Sequence, residues 1–362
     1  MKRFTILSFV AALFFLVVVG FGGKRSLSPS KLPNEKETKR FTPFLTVNDS
    51  ARFHPLLREP SKNELSSARL AALKAYLVVN ADSGEVYSAR NVNEKIPPAS
   101  LTKLVTAMVA LDIATSSAKL TASQKAASQE PTILGVKPGE TFTLEELIKA
   151  MIATSGNDAA TIVGEETLRP FSGNEEVFVS LMNKKAELLG LGNTNFTNTQ
   201  GFDDENQYTN AYDLARIARY AYKNYLPIRT AAASRYAALE ETERHGFYHL
   251  PNWNALLTTY PGVDGLKIGF TEKAGHLTIV TATRKYISLI VIVVGAGSIV
   301  ERDLAAAALL NYGFQKEGIK GVKVDESLIK PRLDEWRELR EQILQELYRE
   351  SKIATESQNV KP

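Results

Sequence analysis

The chain has 362 residues, of which 44% are hydrophobic and 23% are charged, and its net charge is +4. These values are ordinary for a globular protein with room for one large domain or two small ones. The absence of cysteine excludes disulfides and thiolate metal sites, and the four histidines lack the spacing of a zinc site.

The basic charge is concentrated at the N-terminus. Residues 1–60 contain ten Lys and Arg residues against four Asp and Glu, so this segment supplies the positive net charge of the chain. Because the remainder is slightly acidic, we see no case for a fold that binds nucleic acid.

The first segment predicts export. Lys2 and Arg3 precede an uncharged stretch over residues 4–23, which is either a signal peptide or a membrane anchor. The small residues Gly20 and Gly22 favour cleavage, whereas the length of the stretch suits a spanning helix, and we favour an uncleaved anchor. Residues 24–66 are rich in Ser, Pro, Lys and Glu, which predicts a flexible tether.

The chain from residue 67 to 320 predicts an α+β domain. Strands are expected over 75–91, around a turn at 82–84, and again from residue 263 onwards. Between them lie helical patterns, and a last one covers 301–314. We therefore expect the first strands to join the late sheet, with a helical insertion between them. One helical pattern begins at Ser100. The others cover residues 143–153, 158–168, 175–190 and 211–224, and Thr143 is the expected N-cap of the helix over 143–153.

The end of the chain, residues 321–362, predicts a C-terminal helix followed by a disordered tail. An apolar stripe that includes Leu333, Trp336 and Leu339 runs along residues 331–352. We favour a helix that packs on the domain, and a helix that contacts a partner or a membrane surface is the alternative.

The first candidate for chemistry is the pair Ser100 and Lys103. Two prolines precede Ser100, and an apolar helical pattern follows it, so the lysine lies one turn on and on the same face. A lysine in apolar surroundings loses solvation, which lowers its pKa and makes it a base for a nearby hydroxyl. The alternative is that Ser100 only caps its helix, since the same spacing recurs at Ser28–Lys31 and Ser116–Lys119.

The second candidate is Ser155-Gly-Asn157, in a break between two helical patterns. A hydroxyl and an amide held at such a junction can relay a proton and bind a substrate amide. Ser155 with Asp158 also fits a capping box, and the same tripeptide at Ser172–Asn174 reads as an ordinary helix start.

The third candidate is the stretch Lys267-Ile-Gly-Phe-Thr271, on a predicted strand. Gly269 beside a lysine permits the backbone of a substrate to approach closely. The alternative is a lysine that faces solvent.

Taken in this order, the three motifs resemble the set found in penicillin-binding proteins and class A β-lactamases. Longer stretches, such as "NADSGEVYSARNVNEKIPPASLTKLVTAMVAL" and "VDGLKIGFTEKAG", are similar to the D-alanyl-D-alanine carboxypeptidases, which are low-molecular-mass penicillin-binding proteins. The resemblance covers about residues 74–314. It implies a β-lactamase/transpeptidase-like domain, with an antiparallel sheet flanked by helices and an all-helical subdomain.

The resemblance implies catalytic roles for the first two motifs. Ser100 would attack the carbonyl of the penultimate D-alanine, and Lys103 would be its base. Ser155 would pass a proton to the leaving amine, and Asn157 would hold the substrate amide.

It implies substrate-binding roles for the residues that follow. Lys267 would supply positive charge, and Gly269 would leave room for the substrate. The N–H groups of Phe270 and of the nucleophile would form the oxyanion hole. Arg302 would bind the terminal carboxylate of the substrate, unless it is an exposed arginine at a helix start. Thr271 is a further candidate for that carboxylate.

One residue departs from the family pattern. Ile268 occupies the place of a threonine whose hydroxyl helps to bind the carboxylate of the substrate or of a β-lactam. We therefore expect weak inhibition by β-lactams. The segment after residue 314 is also too short for the second, β-rich domain of the family.

These observations predict a serine-type D-Ala-D-Ala carboxypeptidase that acts on peptidoglycan stem peptides outside the cytoplasmic membrane, with no metal or organic cofactor. A DD-endopeptidase with the same site, or a non-catalytic peptidoglycan-binding family member, is the alternative. A β-lactamase is disfavoured because the chain lacks an E-x-x-L-N stretch.

Overall fold

The computed structural model of the chain describes Pro55 and residues 68–358. The predicted anchor at residues 1–23 lies outside the described residues, as does the predicted tether at 24–66 apart from Pro55. In the part of the chain that is described, no helix combines the length and the apolar character needed to cross a membrane.

The long strands lie at the two ends of the domain and the middle is mainly helical, as the sequence predicts, but the middle also contains four short strands that the sequence does not predict. In the described chain the strands are β1 (Ala75–Asn80), β2 (Val86–Arg90), β3 (Lys119–Thr121), β4 (Thr141–Thr143), β5 (Tyr236–Leu239), β6 (Tyr248–Pro251), β7 (Val263–Thr271), β8 (Gly275–Arg284) and β9 (Ile287–Ala296). The α-helices are α1 (Ala68–Ala71), α2 (Lys103–Ile113), α3 (Gln124–Ala127), α4 (Leu144–Lys149), α5 (Asn157–Glu166), α6 (Glu175–Leu188), α7 (Ala211–Asn224), α8 (Leu226–Ala233), α9 (Leu256–Thr259), α10 (Ile299–Lys316) and α11 (Glu326–Gln358).

Five strands form the main sheet, in the order β2-β1-β9-β8-β7, and all neighbours are antiparallel. The first strands therefore join the late ones, as the sequence predicts. All six residues of β1 are buried, because the sheet is covered on both faces. Leu77 and Val79 pack among the helices of the middle segment, whereas Tyr76 and Val78 pack towards α10.

The middle segment is mainly helical, and its apolar residues form one core with the near face of the sheet. Local signals fix several helix starts. Thr143 and Glu146 form a capping box at the start of α4, which confirms the predicted cap. Asn174 caps α6 and Asn210 caps α7, each through its side-chain oxygen.

The C-terminal part packs on the other face of the sheet. Helix α10 lies against β8 and β9, and α11 contacts α10 through buried Ile329 and Leu333. The sequence predicts a helix over residues 331–352. The observed helix α11 is longer: it begins at Glu326, contains Pro331 and continues to Gln358. The predicted disordered tail is therefore wrong for residues 353–358, which are helical.

Candidate active site

Ser100 lies at a sharp turn that leads into α2. Ala99 has a φ of +49°, and residues Ala99–Thr102 form a turn of 3₁₀-helix directly before the α-helix. A side chain is strained in that conformation, so the surroundings must hold it. Gly201 does so: it packs so closely that a Cβ on it would lie 1.9 Å from the carbonyl oxygen of Ala99.

Lys103 is fully buried one turn after Ser100, and its amine points back at the hydroxyl. The Nζ atom lies 2.9 Å from Ser100 Oγ, 2.7 Å from Asn157 Oδ1 and 2.6 Å from the carbonyl oxygen of Gln200. An ammonium group has three donors, and all three are directed at uncharged oxygens. The sequence prediction of a directed amine is therefore correct in its geometry.

Burial lowers the pKa of Lys103 to about 7, and the charge of Asp158 opposes this shift only partly. Lys185 provides a contrast within the same domain. Its amine is equally buried, but it forms an ion pair of 2.8 Å with Asp112 and a hydrogen bond with Tyr225. A buried lysine with a carboxylate partner is a structural element, whereas Lys103 is directed at a hydroxyl.

Ser155 lies at the junction of two helices, as predicted. The turn Ala150–Thr154 is a π-helix, and Ser155 follows it with a φ of +71° and 7% of its surface exposed. Such π-turns occur often at functional sites. The alternative of a capping box is wrong, because Gly156 rather than Ser155 precedes α5 and no side chain caps that helix.

Asn157 and Asp158 connect this junction to the loop between α3 and β4. The Asn157 Nδ2 atom donates to the carbonyl oxygen of Glu130 at 2.9 Å, while its Oδ1 accepts from Lys103. The buried carboxylate of Asp158 accepts hydrogen bonds from the backbone N–H groups of Leu134 and Gly135. Burial nevertheless raises the pKa of Asp158 above its usual range.

The strand β7 runs directly past Ser100. A Cβ on Gly269 would lie 3.2 Å from both the backbone nitrogen of Ser100 and the Cβ of Ala99, so the glycine permits this approach. Phe270 follows and is 54% exposed. Lys267 is 2% exposed, which rules out the alternative of a solvent-facing lysine.

Three basic side chains, those of Lys103, Lys267 and Arg302, lie close together at this end of the sheet. Burial lowers the pKa of Lys267 well below its usual value, and the charges of Lys103 and Arg302 lower it further. Arg302 is buried and not exposed: its Nε donates to Asp303 at 2.7 Å, and its terminal nitrogen contacts the carbonyl oxygen of Trp253 at 3.3 Å. Although Arg302 is paired with Asp303, this cluster of basic groups favours an anionic ligand.

The hydroxyl of Thr271 is already occupied. It donates to Asp203 at 2.8 Å and accepts from the backbone N–H of Ala274, which closes the turn between β7 and β8. Ile268 is half-buried on β7, opposite Thr278. The hydroxyl of Thr278 is directed at the carbonyl oxygen of Lys267, so it does not replace the missing threonine hydroxyl.

The sequence analysis missed two contributors to this cluster. Gln200 acts through its backbone carbonyl, and a backbone contact cannot be predicted from the type of residue. His276, on β8, stacks on Phe270 with ring centroids 4.4 Å apart. Burial and the charge of Arg302 lower the pKa of His276 to about 4, so its ring is neutral near pH 7. Only the register of β7 with β8 places it there.

A comparison with protein families agrees with this geometry. Residues 62–298 match the family model described as D-alanyl-D-alanine carboxypeptidase, peptidase S11. The chain belongs to this family. The resemblance seen in the sequence is thereby confirmed.

Individual members of the family show the extent of the similarity. The chain is 35% identical to the D-alanyl-D-alanine carboxypeptidase DacF of Bacillus subtilis over 248 residues, which cover 67% of the chain and 62% of that protein. It is 31% identical to DacC of Escherichia coli over 274 residues, which cover 72% of the chain and 66% of that protein. The chain thus spans about two thirds or less of the length of these curated relatives.

Solved structures of the family share the fold. The D-alanyl-D-alanine carboxypeptidase DacD of Francisella tularensis superposes with a TM-score of 0.62 and 25% identity, over 74% of this chain and 73% of that one. The Streptomyces K15 DD-transpeptidase superposes with a TM-score of 0.63 and 25% identity, over 67% of this chain and 97% of that one. The predicted α+β fold with an antiparallel sheet is confirmed.

Proposed function

We propose that this protein is a serine-type D-Ala-D-Ala carboxypeptidase that removes the terminal D-alanine from peptidoglycan stem peptides. The observation that supports the proposal most strongly is the buried Lys103 amine, 2.9 Å from Ser100 Oγ. With a pKa of about 7, a large fraction of this amine is neutral at physiological pH and accepts a proton from the hydroxyl.

In the acylation step, Ser100 Oγ attacks the carbonyl carbon of the penultimate D-alanine while its proton passes to Lys103 Nζ. The oxyanion that forms accepts hydrogen bonds from the backbone N–H groups of Ser100 and Phe270. The C–N bond then breaks, and the departing amine of the terminal D-alanine receives the proton through the hydroxyl of Ser155. The product is an acyl-enzyme ester at Ser100.

In the deacylation step, a water molecule attacks the ester and Lys103 accepts its proton. The tetrahedral intermediate collapses, Ser100 leaves as the alcohol after it regains the proton, and the shortened peptide departs as a carboxylate. The same two residues therefore serve both halves of the cycle, which needs no metal or organic cofactor.

Substrate binding is assigned to the groups around this pair. The amide of Asn157 has two N–H donors, and the Glu130 carbonyl takes one, which leaves the second for a carbonyl of the substrate. Lys267 and Arg302 are the basic groups assigned to the terminal carboxylate, whose charge favours the protonated form of Lys267 when the substrate binds. Because Ile268 offers no hydroxyl and that of Thr271 is bonded to Asp203, β-lactams are expected to be weak inhibitors.

The proposal includes a location. A stem peptide with a D-Ala-D-Ala end is a substrate outside the cytoplasmic membrane, and residues 4–23 have the length and apolar character of an export signal or anchor. We assign the catalytic domain to the outer side of that membrane, with attachment through the N-terminal segment.

The test is D-alanine release from a stem pentapeptide that ends in D-Ala-D-Ala. The full chain should release D-alanine, and Ser100→Ala should abolish release. The matched control is Ser116→Ala, which alters a second Ser-x-x-Lys of the described chain, and it should retain full activity. No release from the unaltered protein would contradict the proposal, and cleavage of a cross-linked peptide dimer instead would assign the endopeptidase activity.

A further inference from the structure

One exposed surface near the site has no part in the reaction above. The strands β5 and β6 form a separate two-stranded sheet, and one face of it is apolar and buried through Leu239, Tyr248 and Leu250. On the other face lie three rings, those of Tyr236, Phe247 and His249, which we call the aromatic row. Tyr236 is 47% exposed and Phe247 is 45% exposed.

The rings of the aromatic row contact one another and form a continuous surface. The centroids of Phe247 and His249 are 4.9 Å apart in an edge-to-face arrangement, and those of Tyr236 and His249 are 6.0 Å apart. The Tyr236 hydroxyl is hydrogen-bonded to His249 Nδ1. The surface therefore combines ring faces with polar atoms at their edges. Exposed apolar surface of this kind marks interaction sites more often than chance.

The aromatic row begins beside the catalytic residues. Tyr236 is paired with Pro251, whose carbonyl oxygen accepts a hydrogen bond from Thr154, the residue before Ser155. From Pro251 back to Phe247 the strand covers four residues, which is about 13 Å of extended chain. The far end of the row lies beside Glu140, which accepts from the backbone N–H of Gly246 and precedes α4, whereas Ser155 follows the turn at the other end of that helix, so the row leads away from the site.

We propose that the aromatic row binds the sugar strand to which the stem peptide is attached, and this inference rests on the proposed function. The scissile bond follows the fourth residue of a stem pentapeptide, so about 13 Å of extended peptide separates it from the sugar. That length brings the sugar to the outer part of the row, at Phe247 and His249. The C–H faces of a sugar ring pack on aromatic faces, which carry negative potential, and its hydroxyl groups match the polar ring edges.

The charges around the row favour an uncharged ligand over an anionic lipid surface. The connection between β5 and β6, residues 240–247, contains three glutamates and one arginine. A loop with net negative charge is repelled by the negative leaflet of a membrane, whereas an uncharged sugar strand is not repelled by the loop.

The test compares two substrates that differ only in the sugar. One is a stem pentapeptide linked to its disaccharide, and the other is the free pentapeptide. In the double variant Phe247→Ala/His249→Ala, which removes the two rings farthest from the site, kcat/KM should fall about tenfold for the sugar-linked substrate, since each stacked ring contributes about a factor of three. For the free peptide it should stay within about twofold, which also shows that the variant is folded.

The matched control is Tyr286→Ala. Tyr286 is 97% exposed in the turn between β8 and β9, at the end of β8 far from the site, and its loss should change neither rate. An equal fall for both substrates, or no fall for the sugar-linked one, would overturn the inference.

A binding measurement separates this inference from the proposed function. Glycan strands stripped of peptide should retain the unaltered protein in a pull-down assay, and the double variant should be released. This result stands even if no D-alanine release is found, so the two proposals can fail separately. A dimer in sedimentation that the double variant dissolves would assign the surface to a second copy of the chain and overturn the inference.

Discussion

Two short motifs of the candidate site recur elsewhere in the described chain, and the copies have different surroundings. Ser155-Gly-Asn157 and Ser172-Gly-Asn174 have the same letters, and both serines have a positive φ, of +71° and +58°. Asn174 caps α6 by accepting from the backbone N–H of Val177, whereas Asn157 accepts from the buried amine of Lys103.

The Ser-x-x-Lys motif shows the same contrast. Lys103 is fully buried and directed at Ser100, while Lys119 is exposed on β3 and pairs in register with Thr143. The buried copies of the two motifs meet at the Lys103 amine, which contacts both Ser100 and Asn157. The compared copies elsewhere have only local structural roles. Paired substitutions at the two copies therefore test which residues carry the chemistry.

The largest difference is expected between Lys103→Met and Lys119→Met. Without the base, kcat should fall about a thousandfold, within the range of general base catalysis. Lys119→Met should leave the rate unchanged, because its amine faces solvent. Steady-state D-alanine release measures both, and an active Lys103→Met variant would remove the lysine from the mechanism.

The next difference is expected between Ser155→Ala and Ser172→Ala. Both substitutions place alanine at a left-handed position, so their backbone cost is similar. Only Ser155→Ala removes the proposed proton relay, and its kcat should fall about a hundredfold. Equal rates in the two variants, measured at saturating peptide, would contradict the relay.

A smaller difference is expected between Asn157→Ala and Asn174→Ala. The first loses the hydrogen bond from Lys103 and the donor assigned to the substrate carbonyl, each worth about 0.5–1.5 kcal/mol, so kcat/KM should fall roughly 10- to 100-fold. The second loses a helix cap, which should cost about 1 kcal/mol of unfolding free energy in urea titration and leave the activity intact. A loss of activity in Asn174→Ala, or a loss of stability without loss of activity in Asn157→Ala, would contradict this assignment.

The smallest change is expected from Ile268→Thr, which restores the hydroxyl that the third motif lacks. The rate of acylation by a β-lactam should rise about tenfold, the lower end of what one hydrogen bond to a carboxylate supplies. Stopped-flow or mass-spectrometric detection of the acyl adduct measures this rate. Normal β-lactam affinity in the unaltered protein, with no gain from the threonine, would show that another group binds the carboxylate.

Much of this arrangement could be predicted from the sequence. Alternation and helical spacing predicted the strands of the main sheet and the long helices but not the short strands β3 to β6, and the prolines before Ser100 located the turn at the start of α2. The direction of the Lys103 amine towards Ser100 followed from one helical turn of separation.

Other parts depend on contacts between distant segments. The third acceptor of Lys103 is a backbone carbonyl at Gln200, which has no signature in residue type. The stacking of His276 on Phe270 depends on strand register, and the burial of Arg302 depends on how α10 packs. The letters of the motif could not separate Asn157 from Asn174, since only the packing of α2 against α5 brings Asn157 to the lysine.

The central claim is that Lys103 acts as a neutral base. Its most direct test is the pH dependence of kcat/KM for the D-Ala-D-Ala peptide between pH 5 and 9. Because the neutral amine is the active form and its pKa is about 7, kcat/KM should rise about tenfold per pH unit below 7 and level off above it. A profile that is flat through pH 7, or that rises only near the ordinary lysine pKa, would contradict the account.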